Sequence, residues 1–272
     1  MSVLSRSFRQ ARSDHPYLFA FTLLEIVFLT LPSLIILVVS FGASRIITFP
    51  PTSFTLKWYL SLASHPTYVT AFTHSVFVAT FCTVLSIPIG VLTAIGLNRY
   101  DIRFEHTIQL YLLLPFTIPL VVSGVILLIL FGRIGWIGEL WAVGLALTII
   151  NIPFMIWSVA SSVNSFDPTL ENAAQTLGAE QLQTFLYVTL PALMPGVISG
   201  ALLMFMLGLN EFVVSLIITT NKTVTLPVAI YSSIRGNISP QIAAISSVYV
   251  IIAIIAIIVA DRLVGLERFL HT

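Results

Sequence analysis

Six apolar runs alternate with polar connections along the chain, near 17–41, 71–97, 108–131, 141–163, 191–218 and 241–259. Each is close to the ~20 residues that a helix needs to cross the hydrocarbon core. Lipid offers no partner for backbone amides and carbonyls, so every run is expected to be helical. The pattern therefore predicts an all-α integral membrane protein with six transmembrane helices in a single domain over 1–272, the first helix preceded by a tail over 1–16. Pro32, Pro88, Pro115, Pro119 and Pro153 fall inside the runs, where a missing amide kinks or loosens a helix. The first run is too long, and carries Glu25 too centrally, for a cleaved signal peptide, and no small-residue cleavage site precedes the next segment.

One polar stretch interrupts this alternation, at 167–190, between the fourth and fifth runs. Asp167 followed by Pro168 signals a helix start, because Asp accepts from free amides and Pro fits the first helical position. Leu170, Ala173, Ala174, Leu177 and Gln181 then recur at helical spacing, leaving Glu171, Gln175 and Glu180 for water or a partner. Gly178 permits a bend into a second short helix over 180–187, and Leu190 with Pro191 turns the chain back toward the membrane. No Lys or Arg lies between Arg133 and Lys222, whereas Asp167, Glu171 and Glu180 all fall in this insert. The insert is expected to present an acidic docking face to a basic or apolar partner.

Composition supports the membrane class: 57% of residues are hydrophobic, 8% are charged, and the mean hydropathy is +1.02. That leaves too little polar surface to keep a globule of this size dissolved. A net charge of +1 with scattered cations gives no basic stripe, which argues against nucleic acid as a partner. Cys82 stands alone in an apolar run and is read as a buried structural thiol; the dispersed histidines suggest neither a metal site nor a triad. Seven cations, Arg6, Arg9, Arg12, Arg99, Arg103, Arg262 and Arg268, fall on one side, and five, Arg45, Lys57, Arg133, Lys222 and Arg235, on the other. Arg45 and Lys57 sit in a long connection that counts for less, so both termini and the insert are placed in the cytoplasm. The connections at 42–68, 132–140 and 219–240 then face outward.

Asn172-Ala173-Ala174, then Gly178, then Val188, Leu190 and Pro191 resembles the EAA loop of binding-protein-dependent ABC importer permeases. That loop reads Glu-Ala-Ala, three residues, Gly, nine residues, Ile, one residue, Leu-Pro, and the spacing fits throughout. Asn172 replaces the usual Glu, with Glu171 beside it. The resemblance covers most of the chain, from Phe49-Pro50-Pro51 with Phe54, Trp58 and Tyr59 to the stretch 225–247, and is greatest to the spermidine/putrescine branch. It implies the type I importer permease fold, with a coupling helix between the fourth and fifth spans that enters a groove of a cytoplasmic ATPase. Asp167, Glu171, Asn172, Ala173, Ala174, Gly178 and Pro191 are the coupling residues it points to. It also implies a second permease subunit in a heterodimer, two ATPase subunits carrying ATP and Mg, and an extracytoplasmic substrate-binding protein. This chain would bind no cofactor of its own, would be a transport subunit and not an enzyme, and would lie in a bacterial inner membrane. Its cargo would be a polyamine or a related organic cation.

The membrane-embedded acids supply the candidate pathway. A carboxylate within a span costs roughly 3 kcal/mol and is tolerated beside a cavity or a partner. Gly196, Gly200, Met204 and Gly208 recur every four residues, and Gly196 with Gly200 makes a small-residue pair for close helix packing. Seven residues after Met204, at about 100° per residue, Glu211 returns to within about 20° of that face. It is expected to face the bundle interior, about 30 Å beyond Pro191 at 1.5 Å per residue, in the outer part of the membrane. Asn210, Glu211 and Ser215 are assigned to the substrate pathway; the alternative for Glu211 is a charge paired with a neighbouring helix. In polyamine-type permeases this position resembles a paired-acid site, which here is Asn210-Glu211. Glu25 is assigned to structural or inter-subunit pairing. No Gly-x-x-x-x-Gly-Lys-Ser/Thr phosphate loop, nucleophile elbow or metal-binding helix motif occurs. An ion-gradient transporter would need further acids at the midplane and inverted repeats. That reading, and an ABC permease for a different small solute, are the alternatives.

Overall fold

Helix satisfies nearly all of the backbone. In the computed structural model, which describes residues 16–44, 46–236 and 239–264, the order is α1 (Pro16–Ser40), α2 (Lys57–Ala63), α3 (Pro66–Arg99), α4 (Glu105–Thr117), α5 (Leu120–Arg133), α6 (Leu140–Ser165), α7 (Thr169–Thr176), α8 (Gln181–Thr184), a π-helical turn (Phe185–Thr189), α9 (Leu190–Asn210), α10 (Val213–Ile218), α11 (Leu226–Gly236) and α12 (Pro240–Val264). Among the cations used for orientation, Arg6, Arg9, Arg12, Arg45 and Arg268 lie outside the described residues.

Each expected apolar run is helical, but not every run is one rod. Among the described residues, four stretches are long and apolar enough to cross a membrane: α1, α3, α6 and the continuous helix Gln181–Asn210. The pair α4 and α5 makes a fifth only as a broken span, its axes diverging by 91°. The single span expected over 108–131, with kinks at Pro115 and Pro119, is a pair of helices broken at these prolines. Ile118, ahead of Pro119, adopts φ −87 and ψ 128, the extended conformation that a following proline ring imposes. The run at 191–218 also divides, because α9 ends at Asn210 and α10 begins at Val213. The sixth run forms α12, which is 25 residues long. The outward connections at 42–68 and 219–240 carry the short helices α2 and α11.

The chain divides into two compact units, one of residues 1–64 with 233–252, the other of residues 65–232 with 253–272. In the first, the end of α1 is tied to its connection by Thr55 N donating to Phe41 O at 2.7 Å and Ala43 N donating to Ser53 O at 3.0 Å. Trp58 Nε1 donates to Gly42 O at 2.8 Å, and the Tyr59 ring lies 5.1 Å from that of Phe41. Ser247 on α12 donates to Ile36 O at 3.4 Å.

In the second unit α3, α6 and α9 pack together through small residues. Met155, fully buried on α6, occupies notches left by glycines of both partners. A Cβ at Gly90 on α3 would lie 2.4 Å from Met155 Cγ, and one at Gly200 on α9 would lie 2.5 Å from its Sδ. At Gly196 the obstruction is backbone, with Ser158 O 2.6 Å from a would-be Cβ, and Ser158 Oγ donates to Gly196 O at 2.9 Å. Gly196, Gly200, Met204 and Gly208 are all buried, as the four-residue spacing predicts. The fully buried Cys82 belongs to the same core, and α10 lies against α5, where Ile217 would block a Cβ at Gly124. Ser75 Oγ on α3 accepts the Leu226 amide at 2.7 Å, fixing the start of α11. Gly196→Val should lower the thermal unfolding midpoint of the detergent-purified chain, by an amount equivalent to about 1–3 kcal/mol. Gly96→Ala, whose Cβ meets nothing within 4 Å, should leave the midpoint unchanged or raise it.

Candidate functional site

The insert is built from local caps. Asp167 Oδ1 accepts the Thr169 amide at 2.9 Å, and that bond holds its carboxyl below the usual carboxylate range. Helix α7 starts at Thr169, with Pro168 at the N-cap and not at the first helical position. At its far end Gly178 N donates to Gln175 O at 2.9 Å and Ala179 N donates to Ala174 O at 3.1 Å. This is a Schellman closure around Gly178, whose φ is +92. A Cβ there would meet nothing within 4 Å, so the glycine is required by the backbone and not by space. Glu180 and Gln183 form a capping box in which Glu180 N donates to Gln183 Oε1 at 3.1 Å. The chain then passes through the π turn into α9, with Pro191 in its first turn.

The faces of α7 differ from those expected. Glu171 turns inward, where Arg99 Nη1 donates to its Oε1 at 2.6 Å and Thr189 Oγ1 donates to the same oxygen. The Arg99 guanidinium lies 4.8 Å from the centroid of the Phe166 ring. Burial pushes the Glu171 carboxyl up, but the bonds from Thr189 and Arg99 and the arginine charge outweigh it, so its pKa lies below the usual value. Asn172 and Ala173 are exposed, as are Leu170 at 52%, Leu177 at 89%, Leu182 at 66% and Tyr187 at 79% along the insert. Of the three acids expected on the docking face, Glu171 is paired with Arg99, whereas Asp167 and Glu180 cap helix ends and remain exposed beside these apolar side chains. Beneath α7 lies a cleft of about 410 Å³ lined by Arg99, Glu171, Gln175, Gln181, Thr184 and Thr189. Arg99, Thr189 and Phe166 were not singled out from sequence. The signal available for Arg99 was a cation in the last turn of a long apolar helix.

The pathway residues gather at the break between α9 and α10. Glu211 has φ −69 and ψ 119, so the helical phase linking it to Met204 stops one residue short of it and it caps the start of α10. Its Oε1 accepts the Val214 amide at 2.8 Å, and the residue is partly buried. Asn210 is exposed, its Nδ2 donating to Met206 O at 3.0 Å. Ser215 is buried, and its hydroxyl has no partner among the described residues. Phe212 and Tyr231, also missed, bring their rings to 4.8 Å beside this break. Glu25 is exposed on α1.

The lowered Glu171 pKa fixes the sign of a pH effect. The contact stabilises the insert above the ordinary carboxylate range and is lost as pH falls through the depressed native value. Amide exchange across α7, corrected for intrinsic rates, should stay level from about pH 8 to about pH 6 and rise only in stronger acid. Glu171→Gln should raise it near neutral pH, and the difference from the native chain should shrink in strong acid, where Glu171 is itself protonated.

Residues 86–266 match the family model described as "Binding-protein-dependent transport system inner membrane component". The spermidine/putrescine transport system permease protein PotC of Escherichia coli (strain K12) is 30% identical over 241 residues, covering 89% of this chain and 90% of that protein. The molybdenum transport system permease protein ModB of Mycobacterium bovis is 33% identical over 216 residues, covering 74% and 81%. Among solved structures, a bacterial ABC transporter involved in the import of the acidic polysaccharide alginate aligns with a TM-score of 0.69 at 18% identity, covering 92% of this chain and 97% of that one. This last likeness is one of fold.

Proposed function

Because this chain belongs to the binding-protein-dependent transport system inner membrane components, the permeases of ABC importers, we propose that its insert is the lever by which separate ATPase subunits drive it, and that its cargo is a polyamine or related organic cation. It is a multi-pass permease of a bacterial inner membrane, not an enzyme. The observation that carries the coupling reading is α7 itself, a short exposed helix closed by Gly178, flanked by exposed leucines and set between two membrane helices. Leu170, Leu177 and Leu182 would seat in a groove of the ATPase, which also holds the ATP and Mg. Asn172, Ala173 and Ala174 would lie along that contact, with Asp167 and Pro191 fixing where the insert begins and ends.

Both termini and the insert are placed in the cytoplasm, with α2 and α11 on the side that receives a substrate-binding protein. A second permease subunit would complete the pathway as a heterodimer. ATP-driven closure of the ATPase pair would move the insert and shift the population between inward-facing and outward-facing states.

The cargo reading rests on PotC together with the α9 break. The carboxyl end of a helix carries partial negative charge, and at Asn210–Glu211 it coincides with a carboxylate and an unwound backbone, features that bind cations in transporters. The Phe212 and Tyr231 rings add faces on which an ammonium group can rest. Helix α9 places this site about 30 Å from the insert. Ser215, buried behind it, would support the wall of the pathway. The likeness to ModB keeps a different small solute as the second reading.

The chain reconstituted with its ATPase, permease partner and binding protein should take up radiolabelled spermidine or putrescine only when ATP reaches the ATPase side. Uptake by this chain alone on a proton or sodium gradient would overturn the proposal. Glu211→Gln keeps an oxygen for the Val214 amide while removing the charge, so cation uptake per assembled complex should fall about tenfold. An equal loss of assembled complex would instead assign Glu211 to structure alone.

A further inference from the structure

Arg99 stands where the two ends of the insert and a third helix meet. It occupies the last turn of α3. Its guanidinium covers the ring of Phe166, the residue at which α6 ends and the insert begins. It bonds Glu171 in the first turn of α7, and the same carboxylate oxygen accepts a hydrogen bond from the hydroxyl of Thr189, the last residue before α9. The open cleft between these elements, with Arg99 and Glu171 both on its wall, shows that α7 is not fixed to α3 by close apolar packing. The ion pair bridges the gap.

We propose that Arg99 is a positioning residue for energy coupling, locking α7 to the end of α3 so that a stroke on the insert drives α3 as well as the helices α6 and α9 to which the insert is covalently joined. The inference rests on the coupling role proposed above and adds the element that receives the force. Without the tie, force applied to α7 reaches only the chain ends at Phe166 and Thr189. The π turn Phe185–Thr189 is the more yielding of those ends, because its wide hydrogen-bond register is a local departure from α-helix. Arg99 suits the task because one planar cation serves the carboxylate and an aromatic face together, which an ammonium group on a flexible stem does not. The pair is only partly exposed, with side chains 21% and 22% accessible, and is less screened by salt than a surface contact.

Spin labels at Asp101 and Thr176, both exposed, in the complete complex otherwise native at Arg99 and Glu171, provide the test. The inter-label distance should be the same in the nucleotide-free and ATP-trapped states. Arg99→Met should broaden that distance, and the substrate moved per ATP hydrolysed should fall about tenfold, the scale of an ordinary coupling free energy. Arg99→Lys should recover little of this ratio. The exchange Arg99→Glu with Glu171→Arg, which restores the ion pair but not the Phe166 and Thr189 contacts, should recover part of it, and also guards against a single variant that fails to assemble. A distance that changes on ATP binding in the otherwise native complex, or an unchanged transport ratio in Arg99→Met, overturns the role of Arg99. An insert that never contacts the ATPase in the native complex overturns the coupling reading instead.

Discussion

Everything in this chain follows from the demand that backbone amides and carbonyls in hydrocarbon find partners within the protein. Unbroken helix is the cheapest answer, and α1, α3 and α6 adopt it across whole spans. The departures are confined to places where another group takes over the pairing. At the α9 break the Glu211 carboxylate accepts the Val214 amide, replacing the bond that a continuing helix would have supplied. At Ile118 and Pro119 the chain turns where proline has no amide to satisfy.

The same demand governs side chains. Several hydroxyls in the spans turn back to their own helices, with Thr83 donating to Ala79 O at 2.7 Å and Thr148 to Gly144 O at 2.8 Å. This leaves the helix surfaces free to pack by shape. Lipid is as apolar as leucine, so association gains little from the hydrophobic effect and depends on close fit. Met155 between Gly90 and Gly200 is that fit in its simplest form, a flexible side chain filling notches on two neighbours. A rigid core of this kind lets the polar parts, the insert and the α9 break, hold definite positions relative to it.

Much of this was legible in the sequence for a plain reason: long-period signals depend on many residues at once. The apolar runs, the interior face of α9 and the glycine turn at Gly178 each follow from spacing alone. What stayed hidden depends on single long-range meetings or on breaks that leave no mark. Glu171 turns inward because Arg99, 72 residues earlier, ends α3 beside it, and no periodicity in α7 encodes that. The stop after Asn210 has neither Gly nor Pro to announce it, and apolar residues continue on the far side. Proline inside a run allows either a kink or an uninterrupted helix: Pro88 and Pro153 remain inside α3 and α6, whereas the Pro115 to Pro119 stretch opens into a bend.

The inward turn of Glu171 also explains why Asn172 can occupy the first position of the loop motif. Adjacent residues on a helix point about 100° apart, so moving the acid back by one position swings it from the outer face of α7 to the side of Arg99. The rest of the insert exposes the Asn172 amide on one side and Leu170 and Leu177 on another, with Leu177 89% exposed. Docking on such a face gains roughly 25 cal/mol for each Å² of apolar surface buried and is nearly indifferent to salt, whereas an acidic face would lose attraction as ions screen it. Charge and contact are thus divided between the two sides of one short helix. The acid fixes how α7 is held, and the leucines provide what a partner would grip.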